Sequence, residues 1–84
     1  MPYLREERRT ELLKEELAKV FPETPGDLNY CFTYLSLNFL SKKEISYQAY
    51  NDCIGALEAA KLELYRRLTA PYEDKKIKEN GDVY

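Results

Sequence analysis

Histidine and tryptophan are absent from this 84-residue sequence, and cysteine, glycine and proline are scarce, at two, three and four residues. Without an imidazole there is no base for a histidine-dependent catalytic triad. With only Cys31 and Cys53 as soft ligands, a tetrahedral zinc site of the usual kind is also out of reach. Both cysteines fall in apolar helical patterns, where buried free thiols are expected. An excess of one charge is missing too. Thirteen basic and 15 acidic residues leave a net charge of -2 and a pI near 5.2, so the sequence lacks the footprint of a generic nucleic-acid or anionic-membrane binder. The longest uncharged run, Leu28 to Ser41, is 14 residues, short of the roughly 20 that span a bilayer. No signal peptide is visible. A soluble, cytoplasmic protein is the expectation, with no cofactor. Glu73, Asp74 and Asp82 are carboxylates that could hold magnesium, but nothing specifies the cavity and substrate phosphates such sites normally use, and no enzyme is expected.

What is present is helical periodicity. Tyr50, Cys53, Ile54, Leu57, Ala60, Leu64 and Leu68 recur at steps of three and four, which predicts a long helix over about 46–69 with this face toward a core. Ser46 suits its N-cap, with Ile45 able to pack on Tyr50 as a hydrophobic staple. Pro71 predicts its far end. Glu63 and Arg67 are spaced as a favourable i,i+4 pair. On the opposite face Gly55, Ala59 and Leu62 form a small-residue groove flanked by Gln48, Asp52 and Arg66. A mid-helix glycine costs about 1 kcal/mol against alanine, which is easier to accommodate where a second backbone comes close.

Earlier in the chain, a late-starting or extended Met1 to Leu4 leads into a predicted amphipathic helix over about 5–21. Leu13, Leu17, Val20 and Phe21 form its stripe, with Leu12 at the edge, and Glu11 with Lys14 and Glu15 with Lys19 on a solvated face. Pro22 ends it. Thr24-Pro25-Gly26-Asp27 is a start signal, with threonine as cap, proline at the first helical position and an acid at the third. The helix predicted over 25–41 carries Leu28, Cys31, Phe32, Leu35 and Phe39 on one face and Tyr30, Tyr34, Leu37 and Leu40 elsewhere. A helix apolar nearly all round is buried on more than one side. So short a chain has few elements to surround it, which points to a subunit interface. FTYLSLNFL also has strand character; the cap signal favours the helix.

After Thr69, Ala70-Pro71-Tyr72-Glu73-Asp74 reads as another helix opening, with Lys75, Lys76 and Lys78 later and Asn80-Gly81 as a stop, so a short helix over 71–79 is expected in a tail of 70–84. Val83 and Tyr84 trail behind it, placed to dock on the body. The fold expected is one all-α domain over 1–84, three helices and a short helical or extended tail.

The tail RRLTAPYEDKKIKENGDVY, the start MPYL with Pro2 and Tyr3, and the element TPGDLNY resemble a family of small proteins of phages and prophages. Its members close with R-R-x-x-x-P-Y-E-D-x-K-x-x-E-N-G-D-V-Y. The resemblance covers most of the chain, is specific at the tail and loose in the middle helix. It implies a viral or mobile-element setting and no known activity, cofactor or substrate.

Three functions remain open. The first is a small helical interaction protein that forms a homo-oligomer through Tyr30, Tyr34, Leu37, Gly55, Ala59 and Leu62 and presents its tail to a host or phage protein. Eight tyrosines suit such a surface. The candidate partner-binding residues are Arg66, Arg67, Tyr72, Glu73, Asp74, Lys76, Asn80, Asp82 and Tyr84. The second is a counter-defence protein that sequesters a small anionic, nucleotide-like ligand, with Arg66, Arg67 and Lys75 on phosphates and Tyr65, Tyr72 or Tyr84 stacked on a base. Arg66 and Arg67 diverge by about 100° on a helix, so at most one faces a given pocket, and pairing with Glu63, Glu73 and Asp74 is their competing fate. The third is a nucleic-acid-binding accessory protein, which the charge balance disfavours.

Overall fold

A computed structural model of the chain describes residues 4–84. The expected extended start, with Pro2 and Tyr3, lies outside the described residues apart from Leu4. The architecture is all-α, with no strand among the described residues. Helical segments occupy the three expected regions, the last being the longest. The chain divides into two units, Met1–Ser46 and Tyr47–Tyr84.

In the first unit, α1 spans Glu6–Lys14 and a 3-10 turn spans Leu17–Lys19. The helix expected to reach residue 21 is therefore broken. Glu16 stands between the two pieces in the left-handed region, φ 78°. The stripe that defined the longer helix has little to pack on. Leu13, Leu17 and Val20 are about half exposed and Phe21 is 80% exposed, while Leu12, expected at the edge, is the half-buried residue of α1. Isolated helices of this length are marginal without such packing, which accounts for the early end. The charged face is solvated as expected, but Glu11 pairs with Arg8 at 2.9 Å and Lys19 with Glu16 at 3.2 Å.

Helix α2 runs Pro25–Ser41, the bounds that its punctuation predicts. The capping box closes in both directions. Thr24 Oγ1 accepts from the Asp27 N–H at 3.0 Å, and Asp27 Oδ2 accepts from the N–H groups of Thr24 at 3.3 Å and Glu23 at 3.1 Å. These bonds, the Glu23 N–H first and Thr24 next, hold the Asp27 carboxyl below its ordinary 3.8. Lys43 closes the other end over the Phe39 ring, 4.9 Å from its centroid. Burial does not follow the expectation of a helix covered on several sides. Within the chain Cys31, Ser36 and Leu40 are half-buried, and the large apolar residues from Leu28 to Phe39 lie between 42% and 66% exposed on every side of the helix.

The second unit is a single run of helix. Helix α3 spans Tyr47–Leu64, a π-helical turn spans Tyr65–Thr69, and α4 spans Ala70–Asn80. At 1.5 Å per residue the run is about 50 Å long. Pro71 does not end the helix, contrary to expectation. A proline ring has no N–H and clashes with the carbonyl four residues back. Here the turn before it is widened, the Ala70 N–H reaching back five residues to the Tyr65 carbonyl, and Pro71 falls in the first turn of α4. The face expected to form a core is also largely open. Cys53 is buried, as is Ala49 one turn before it, but Tyr50, Ile54, Leu57, Leu64 and Leu68 are 38–64% exposed. Ile45 is 88% exposed and makes no staple. A Cβ built on Gly55 meets nothing within 4 Å, so among the described residues of its own unit none uses that glycine for a close approach.

Two substitutions test the break and the cap. Glu16→Gly relieves a left-handed side-chain residue and raises stability by about 1 kcal/mol, where an unbroken helix would lose about 1 kcal/mol. The midpoint of chemical denaturation separates the two. Thr24→Ala lowers stability by about 1 kcal/mol. Because the Asp27 carboxyl is depressed, its contribution is complete above pH 3.8 and is lost as pH falls through the lower folded value; T24A should flatten that acid limb.

Candidate functional site

The C-terminal segment owes its geometry to the π turn. Eight residues make 2.2 turns of α-helix and would leave Tyr65 and Glu73 offset around the axis. The wider turn takes up the excess, and the Tyr65 hydroxyl donates to Glu73 Oε1. Donation to the carboxylate, with its negative charge close by, raises the Tyr65 phenol above its ordinary 10.0. The two residues clasp the segments on either side of Pro71.

Beyond the clasp, α4 stops at Gly81. Its φ of 85° takes the chain into the left-handed half of the map, which glycine adopts without a Cβ penalty. The Gly81 N–H bonds the Ile77 carbonyl at 2.8 Å. Asp82 Oδ1 then accepts from the Tyr84 N–H at 3.0 Å, an Asx turn that fixes the last residues. Between this turn and α4 lies an open groove of about 320 Å³. Its aromatic wall is supported by Lys76, whose Nζ sits 5.5 Å from the Tyr72 ring centroid and 3.2 Å from Glu79 Oε2.

Of the nine tail residues expected to bind a partner, six line this groove: Tyr72, Glu73, Lys76, Asn80, Asp82 and Tyr84. Arg66, Arg67 and Asp74 do not. Arg66 Nη2 pairs with Glu63 Oε1 at 2.8 Å, and Arg67 Nε donates to the same oxygen. The pairing fate with Glu63 is thus realised for both, and the arginines stand apart from the groove. Ile77, Gly81 and Val83 also line it; their role follows from the turn at Gly81, of which only the Asn-Gly stop was readable. Val83 and Tyr84, expected to trail behind α4, are fully exposed and line the groove.

The expected oligomer-contact residues lie in both units. Tyr30 and Tyr34 stack as a tilted pair, 6.3 Å between centroids, on α2. They and Leu37 are exposed, as is Leu62 on α3, while Ala59 is half-buried. Among the described residues no cluster of three or more potential metal ligands occurs, and no helix is long and apolar enough to cross a membrane.

The family model described as Domain of unknown function (DUF6899) matches residues 1–83. The chain belongs to this family. No curated protein and no solved structure matches it. DUF6899 membership therefore supplies a unit of sequence that includes the capped α2 and all of the groove lining but Tyr84, and assigns no activity to either.

The clasp is testable by titration. Tyr65 should ionise above 10.0 when absorbance at 295 nm is followed, and Glu73→Gln should return it toward that value. Since its folded value is raised, the bond contributes fully below pH 10 and is lost as pH rises through the raised value. Pro71→Ala, which removes the need for a wide turn, should abolish the shift as well.

Proposed function

We propose that this chain is a small helical interaction protein that self-associates and presents its C-terminal segment to a protein partner in the cytoplasm of a host cell. The setting is that of a phage or prophage, in keeping with the closing segment from Arg66 to Tyr84. The observation that carries the reading is the groove between α4 and the turn at Gly81. Exposed Tyr72, Val83 and Tyr84 border it, while backbone and side-chain bonds around Ile77, Gly81 and Asp82 hold its outline. Rigid tyrosines beside an apolar floor give contact area at low entropic cost. The mixed charges of Glu73, Lys76 and Asp82 suit a polar rim on a protein partner better than a single-sign ligand. No catalytic step is assigned.

The experiment compares the full chain with Tyr72→Ala and with Asp82→Ala/Tyr84→Ala, each checked for unchanged helicity, in capture of a host or phage protein. Loss of one defined partner with both variants supports the reading. Unchanged capture, or a non-covalent mass of a few hundred daltons with absorbance near 260 nm on the native chain, overturns it in favour of ligand sequestration.

A further inference from the structure

We propose that the groove between α4 and the turn at Gly81 is a receptor for an arginine side chain carried by the partner protein. The proposal rests on the interaction reading above and names the chemistry that the groove recognises.

Two carboxylates line the groove, Glu73 and Asp82, and neither forms an ion pair among the described residues. Glu73 Oε1 accepts from the Tyr65 hydroxyl and Asp82 Oδ1 from the Tyr84 N–H, which leaves the second oxygen of each without a bond. Elsewhere in the same unit Glu58, Glu63 and Glu79 are each paired with a lysine or an arginine. Lys76, the lining cation among the described residues, is the partner of Glu79, which stands outside the lining. Its charge is offset there, and the two groove carboxylates remain uncompensated. A cation of the partner is their complement.

The rest of the lining selects arginine over lysine. A guanidinium is planar, offers five donors and stacks on aromatic faces, whereas an ammonium is a compact, strongly hydrated charge. Lys76 Nζ sits 5.5 Å from the Tyr72 ring centroid, so one face of that ring already takes a cation. Tyr84 is fully exposed at the groove, and its ring is open to a second. Ile77 and Val83 supply apolar surface for the methylene stem. At about 320 Å³ the groove stands at the lower end of the roughly 300–1,000 Å³ of small-ligand sites, which suits one long side chain. The bonds at Gly81 and Asp82 hold the turn in place beforehand, so binding has little ordering left to do.

The test uses the full chain and the probe acetyl-Gly-Arg-Gly-amide, with citrulline or lysine in place of arginine as controls, followed by amide NMR shifts at low salt. Citrulline keeps the shape of arginine and loses its charge. Saturable shifts centred on residues 72–84 are expected, with the arginine peptide about tenfold tighter than the citrulline peptide. Glu73→Gln and Asp82→Asn each keep an oxygen for the internal bond and remove the charge, so each should weaken the arginine peptide about threefold with helicity unchanged. Lys76→Gln, which removes a like charge, should tighten it. Equal affinity for the citrulline or lysine peptide, shifts centred outside the groove, or no saturable shift at about 20 mM peptide overturns the proposal. Partner capture separates this failure from that of the interaction reading. A partner lost with Y72A but retained by both E73Q and D82N overturns the arginine receptor alone.

Discussion

The helices of this chain form along their own backbones, but among the described residues neither unit supplies enough surface to bury the apolar side chains it carries. That imbalance governs the rest of the structure. The region to Ser46 contains no buried residue among those described, and the region after it contains two, Ala49 and Cys53. Full burial of a leucine or isoleucine is worth roughly 1.5–3 kcal/mol, so rows left half exposed on α2 and α3 withhold a large share of the stabilisation an 84-residue chain needs. Where local rules suffice, as in the capping box of α2, the element forms to its predicted bounds. Where a helix depended on packing, as in residues 15–21, it gives way.

Pro71 imposes the second constraint. Keeping the helix continuous through a proline requires a wider turn, and the wider turn changes which residues share a face. Tyr65 and Glu73 meet for that reason, and the groove beyond them takes its orientation from the same adjustment. The one-residue offset of the π turn thus also sets where the groove lies around the helix axis relative to α3.

Much of the fold was legible in the residues. Thr24, Pro25 and Asp27 announced α2, caps and apolar period announced a helix over 46–69, and Asn80-Gly81 announced the stop of what read as a separate short helix over 71–79. What could not be read came from two sources. The π turn depends on how the backbone accommodates a proline, a compromise with no signature beyond the proline itself, so Pro71 read as an end. The face of α3 was assigned to a core because apolar period indicates what wants covering and is silent on what covers it. Within the candidate site, the charged and aromatic residues of the tail stood out by type. Their sorting into Tyr72, Lys76 and Asp82 at the groove and Arg66 and Arg67 outside it required the phase of the helix and the turn at Gly81.

If the self-association proposed for this chain covers the apolar rows that neither unit buries, folding and association are one equilibrium. Thermal unfolding of the native chain, followed by circular dichroism over a hundredfold range of protein concentration, tests this most directly. The account predicts a midpoint that climbs with concentration, because association stabilises only the folded form. A cooperative transition at a midpoint independent of concentration would contradict it and would mean that each chain closes its own core.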